Sequence, residues 1–156
     1  MEPVALAPAE AAASRIVYDD VPRMLAFARE HIPGAGWEDD ATAIGREVRG
    51  ELVAVCVYEH FTAADCHVHV ASDRRPGWCT RALLTHWYAY PFIQLGLNRV
   101  TGLVPANNAA ALKFDLHMGF KPEGRLREAL PDGSDLIVLG MLRRDCRYIP
   151  RAFRHG

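Results

Sequence analysis

The stretch Asp65–Tyr88, DCHVHVASDRRPGWCTRALLTHWY, decides the fold. Its opening residues alternate. Cys66, Val68 and Val70 face one way and Asp65, His67 and His69 the other, which is the period-two pattern of a strand over Asp65 to Ala71. From near Thr80 the pattern changes: Leu83, Leu84, Trp87, Tyr88 and Phe92 recur at three-to-four spacing, so a helix follows, with Pro91 kinking or shortening it. Between the two lies a turn containing Pro76-Gly77. A strand that enters a helix through such a turn leaves backbone N–H groups free at the positive end of the helix dipole, and Arg74, Arg75 and Arg81 add cationic charge. That combination suits a phosphate. A simple turn with solvated arginines accounts for this segment equally well when it is taken alone.

Outward from this unit, the chain reads as one continuous domain without repeats or low-complexity linkers. A short strand around Arg15 to Tyr18 precedes a helix that Asp19 or Asp20 can cap, with Pro22 in its first turn and Met24, Leu25, Phe27, Ala28 and Ile32 as its apolar stripe. Ala41 to Val48 and Glu51 to His60 are strands joined at Arg49-Gly50, a hairpin. Leu52 to Tyr58 is apolar on both faces and therefore central. Asn98 to Val104 is a strand, Asn107 or Asn108 caps a helix through Met118, and Gly119 ends it. Phe120 to Arg127 and Leu136 to Leu142 close the chain as a hairpin around Pro131-Asp-Gly-Ser134. Three helices exclude an all-β sandwich, and the run of adjacent strands excludes a doubly wound parallel sheet. The expected class is α/β of the α+β kind: a single domain with one mixed, largely antiparallel sheet flanked by three to four helices.

Composition sets the outer limits. At 156 residues the chain is one domain long and buries enough surface to need neither disulfide nor metal. The net charge of -1 hides a division: Met1 to Asp73 holds 5 Arg against 13 acids, and Arg74 to Gly156 holds 13 Lys and Arg against 6 acids. Opposed halves suit two differently charged partners. Cys56, Cys66, Cys79 and Cys146 include no C-x-x-C pair and sit in apolar settings, as reduced thiols do, so the expected compartment is the cytoplasm. The first residues carry no basic region and do not read as a secretory signal, and no stretch suffices for a membrane span. His67-x-His69 with His60 and Cys66 does not read as zinc ligation, because Cys66 faces the opposite way and no second Cys/His cluster follows; no metal is expected. The aromatics of the central helix read as packing residues. The five arginines from Arg143 onward read as a solvated basic terminus, and nucleic acid is not an expected partner.

Arg74-Arg75-Pro76-Gly77-Trp78-Cys79 resembles the acetyl-CoA signature R/Q-x-x-G-x-G/A of the GCN5-related N-acetyltransferase family, with Cys79 where Gly or Ala is usual and the bulky Trp78 before it. Downstream, Asn108, Ala111, Gly119-Phe120, Glu123-Gly124, Arg125 and Arg127 resemble the N-x-x-S/A…G-F-x-x-E-G-x-x-R pattern of the branch that acetylates ribosomal-protein N-termini. The similarity spans roughly residues 20–142. Tyr90-Pro-Phe-Ile-Gln-Leu-Gly and the closing Gly140-Met-Leu-Arg-Arg-Asp-Cys-Arg resemble phage and prophage members.

The expected division is a domain over residues 14–149 between a loosely ordered lead-in over 1–13 and a basic tail over 150–156. The resemblance implies N-acyl transfer, most often acetyl transfer from acetyl-CoA to a primary amine of a small molecule or protein by direct attack. The pyrophosphate would meet the N–H groups of Gly77, Trp78, Cys79, Thr80 and Arg81 beside Arg74 and Arg75. The pantetheine would run along Val70 and Ser72, and Asn108 would touch its thioester end. Many members place a tyrosine acid where this chain has Asp115, so that tyrosine is absent. His67 and His69, carried toward the splayed centre of the sheet, are the candidate bases, with Glu59 the runner-up. The expected partners are acetyl-CoA, an amine acceptor and, where the chain self-associates, a second copy as a homodimer. The alternatives are a non-catalytic acyl-CoA-binding or protein-interaction module on the same fold, and a phage-type enzyme directed at nucleic acid.

Overall fold

The computed structural model describes residues 13–155. Seven strands form one sheet: β1 (Ser14–Val17), β2 (Thr42–Val48), β3 (Glu51–Glu59), β4 (His67–Ser72), β5 (Arg99–Pro105), β6 (Lys121–Leu126) and β7 (Leu136–Leu142), in the spatial order β1-β2-β3-β4-β5-β7-β6. Three α-helices lie wholly within the described residues: α1 (Val21–His31), α2 (Arg81–Ala89) and α3 (Ala109–Met118). Every strand pairing is antiparallel except β4 with β5. The expected class, with its largely antiparallel sheet, is what is observed. The lead-in proposed for 1–13 lies outside the described residues except for Ala13, whose carbonyl accepts from the Arg49 amide.

Local chemistry accounts for most boundaries. Arg49 and Gly50 both have positive φ, 52° and 82°, the pair of left-handed residues that a two-residue hairpin with native twist requires. Thr80 caps α2 by accepting the Leu83 amide on Oγ1, and Asn108 rather than Asn107 caps α3 through Oδ1 and the Ala111 amide. Asp20 occupies the N-cap position of α1, but its side chain makes no capping bond, so Pro22 and the first backbone hydrogen bonds start that helix instead. Pro91 has no N–H to give the ladder and a ring that crowds the preceding turn. The helix accordingly widens into a π turn over Tyr90–Gln94.

The core divides into two layers because β3 is central and alternates. Val55 and Val57 pack with Val17, Met24, Ala28 and Ala71 under α1, whereas Cys56 and Tyr58 pack with Leu84, Trp87, Phe92 and Met118 under α2 and α3. Trp87 and Tyr58 bring polar handles into the second layer and satisfy both. Trp87 Nε1 donates to the Ile44 carbonyl at 2.9 Å and Tyr58 Oη donates to the Trp87 carbonyl at 2.6 Å, tying α2 to β2 and β3. The edge strand β6 is exposed along its whole length, so its alternation of apolar and charged residues marks a strand with no buried face. After β7 the chain turns back, burying Cys146, Tyr148 and Ile149, and Arg154 donates twice to the Ile149 carbonyl.

Only one residue pair, His67 with Thr101, aligns β4 with β5. The Thr101 amide donates to the Cys66 carbonyl at 2.9 Å, and beyond this the two strands part. That parting makes the functional cleft.

Candidate active site

A cavity of about 510 Å³ fills the gap between β4 and β5. Val68 to Ser72 form one wall and Gly102 to Pro105 the other. Trp78, Ala111, Phe114 and Phe120 line the α2/α3 side, and His31, Ile32 and Pro33 at the end of α1 line the opposite side. The cleft therefore passes through the sheet. Its volume and its mostly apolar lining with a few polar groups suit a small organic ligand.

The backbone of β4 is part of the lining. The Asp73 amide donates to the Val53 carbonyl on β3 at 3.0 Å, so odd-numbered residues of this segment present their amides to β3. The Val68 amide lies on the other edge, where the bridge between His67 and Thr101 still holds β5 against it. By the same alternation Val70 and Ser72, past that bridge, present their amides to the gap, as donors that no strand receives.

At one end of the cleft lies the turn Ser72–Thr80. Gly77 has φ of +77°, a left-handed conformation that a residue with a Cβ adopts only with strain. The first amides of α2, Arg81 and Ala82, lie beyond the reach of intrahelical partners, and Thr80 has already satisfied Leu83. Of the three arginines expected around the turn, Arg74 lines the cavity. Arg75 is turned away, with Nε 2.6 Å from Asp73 and Nη2 3.3 Å from Glu51, because those acids lie closer than the turn's outer surface. Arg81 donates to the Arg147 carbonyl and lies over the Tyr148 ring at 5.5 Å. Trp78 is a wall residue, its indole against Phe114 and Trp87. The Cys79 side chain is buried, and burial pushes its thiol up to about 11, so only its backbone is available to a ligand. Asn108 lines the cavity although its Oδ1 is committed to the cap.

The candidate bases separate. His67 and His69 share a face of β4 with Glu59, which pairs with His67 across the ladder. His69 lines the cavity, its Nε2 is 2.9 Å from Glu59 Oε1, and Trp37 packs edge-on against its ring. Burial holds its pKa below the ordinary histidine value, against the opposing pull of the Glu59 carboxylate. His67 packs against His60, the rings tilted by 53° with centroids 4.8 Å apart, and does not line the cavity. Glu59 stands behind His69 and is only 4% exposed; its Oε2 accepts the Glu38 amide at 2.8 Å. Among the described residues no group of three or more His, Cys, Asp or Glu is placed to hold a metal ion.

Asp115, on the α3 wall of the cavity, was absent from the candidate residues. Burial alone pushes its carboxyl up to about 7. Its signal in the sequence was a single acid on the inner stripe of a helix, four residues after Ala111 and three before Met118. Arg46, on β2, was missed as well. It is 1% exposed and reaches the Gly77–Trp78 turn from beneath.

No family model matches the chain, and no curated protein matches it. Solved structures do. A point mutant of the spermidine N-acetyltransferase SpeG from Vibrio cholerae superposes with a TM-score of 0.71 at 14% identity, over 90% of this chain and 99% of the other. The same enzyme in its dodecameric structure gives 0.67 at 15% identity, over 84% and 94%. The ribosomal-protein-S18-alanine N-acetyltransferase from Escherichia coli gives 0.64 at 20% identity, over 83% and 93%. Together with the strand order and the central splay, these likenesses establish that the chain has the fold of the GCN5-related N-acetyltransferases.

Proposed function

We propose that the protein is an N-acetyltransferase that moves an acetyl group from acetyl-CoA to a primary amine of a small molecule or protein. The observation that carries this reading is the cleft through the sheet, which joins an anion-suited turn on one side to a buried histidine–carboxylate pair on the other. The pyrophosphate sits at the amides of Gly77 and of Cys79 to Ala82 beside Arg74, the Trp78 amide being held by the Arg75 carbonyl at 3.2 Å, and the pantetheine follows Val70 to Ser72 past Trp78 and Asn108. The Val70 amide polarises the thioester carbonyl. His69 takes a proton from the ammonium form of the acceptor, so that the amine lone pair is free. The amine nitrogen then bonds to the carbonyl carbon and the carbon–sulfur bond breaks. The departing thiolate receives the proton of Asp115, whose raised pKa keeps it protonated up to neutral pH. Four free, buried thiols suit a reducing compartment, as expected of a cytoplasmic enzyme.

The test is a panel of primary amines, including polyamines and peptides with a free N-terminal alanine, incubated with acetyl-CoA while free thiol is followed. Acceptor-dependent thiol release with acetylated product in the mass spectrum is expected. A chain that neither releases thiol with any acceptor nor is stabilised by CoA against heat overturns the reading. The phosphate end has its own test by calorimetry. Arg74→Ala is expected to weaken CoA binding about fivefold, a loss of about 1 kcal/mol, and to flatten its salt dependence. Gly77→Val is expected to weaken it at least as much, because a β-branched side chain disfavours the left-handed backbone there by about 1–2 kcal/mol. CoA affinity unchanged in both variants places the phosphates elsewhere.

A further inference from the structure

Arg46 is the most deeply buried charged residue of the described chain, and its partners lie far away in sequence. It pairs with Ala54 across the β2–β3 ladder and so faces the α2 side of the sheet, just before the bulge at Arg46/Glu47. Its Nη1 donates to the carbonyls of both Gly77 and Trp78 at 3.0 Å, and its Nε donates to Ser14 Oγ at 2.9 Å. A trans peptide is planar and points its C=O and N–H in opposite directions, and the described chain has no cis bond. Drawing the Trp78 carbonyl down toward β2 therefore turns the Cys79 amide up, away from the sheet and toward the outer surface of the turn.

We propose that Arg46 is the positioning residue of the anion-binding turn, holding two carbonyls from below so that the Cys79 amide is presented to a phosphate. This rests on the acetyl-CoA reading above and assigns that site a part it otherwise lacks. The guanidinium is suited to the task because its planar fork has several donors at fixed angles; an ammonium is a single point charge. The side chains of Arg75 and Arg81 point elsewhere: the first pairs with Asp73 and Glu51, and the second is engaged with Arg147 and Tyr148.

The experiment compares two donors, acetyl-CoA and S-acetylpantetheine, which share the thioester arm and differ in the phosphates. In the full chain, Arg46→Lys and Arg46→Met are expected to raise KM for acetyl-CoA about tenfold, the equivalent of one charged hydrogen bond, with kcat and the KM for S-acetylpantetheine unchanged. A general loss of structure would move both donors together, and that result overturns the proposal, as does an Arg46→Lys variant with wild-type KM for acetyl-CoA. Should neither variant melt cooperatively, the wild-type chain decides by amide NMR with inorganic pyrophosphate. A shifted Cys79 amide supports the assignment; shifts at Arg81 and Ala82 with Cys79 unmoved overturn it. A wild-type chain that binds neither CoA nor pyrophosphate removes the parent reading and this one with it.

Discussion

Replacing His69 by alanine is expected to lower kcat at saturating acetyl-CoA by about a hundredfold, the usual scale of a lost general base, while CoA affinity stays at its wild-type value. His69 alone of the two strand histidines lines the cleft, and Glu59 Oε1 lies 2.9 Å from its Nε2. Because burial lowers its pKa, the imidazole is neutral at pH 7 and can accept a proton there. The sign for the pH profile follows. The base works only when unprotonated, so wild-type kcat falls as pH drops through a value below the ordinary 6.5, and that acid limb disappears in the alanine variant. His67→Ala is expected to leave the profile unchanged, since its ring packs against His60 outside the cleft. Initial rates between pH 5 and 9 check both, and a normal rate with the acid limb intact in His69→Ala rules out the assignment. Glu59→Gln gives a mixed result by comparison, because its carboxylate also holds the Glu38 amide. Both kcat and thermal stability are expected to drop.

Asp115→Asn is expected to move activity and stability in opposite directions. In the folded chain the carboxyl is pushed up to about 7 by burial, whereas the unfolded chain titrates near 3.9. The folded state thus binds the proton more tightly, so stability is highest below pH 4 and is lost as pH rises toward and through 7. Three units at about 1.4 kcal/mol each amount to roughly 4 kcal/mol withheld from the wild type at pH 8. The carboxylate also lies near the C-terminal, negative end of α3, which adds to the penalty. Asparagine has nearly the same shape and no charge, so the variant is expected to be more stable by up to that amount at pH 8 and equal to wild type near pH 4, as read by urea unfolding. It has no proton to give the thiolate, so kcat is expected to fall and the alkaline limb near pH 7 to vanish. Equal stability at pH 8 and an unchanged alkaline limb would show that Asp115 is only a wall residue. Such a trade of stability for activity is common where a buried ionisable group serves chemistry.

Both experiments concern residues that the sequence treated unequally. His69 was legible because its chemistry and its strand periodicity are local. Asp115 was noted only as the residue that stands in place of the family's tyrosine, because a helix shows which side chains share a face but not what the face looks onto. The same division runs through the rest of the molecule. Periodicity, caps and turn chemistry act over a few residues, and they alone determined the strands, the helices, the Arg49-Gly50 hairpin and the glycine-bearing turn before α2. They also singled out Arg74, Gly77 and Asn108 for their places in turn and cap.

Tertiary structure decided what depends on partners distant in sequence. It parted β4 from β5 after the pair His67 and Thr101, 34 residues apart, and so opened the cleft between them. The acids Asp73 and Glu51 drew Arg75 away from the turn, while Arg46 came up beneath it from 31 residues earlier. Side chains settle on whichever partner the folded backbone brings within a few ångströms, and no local pattern encodes that distance.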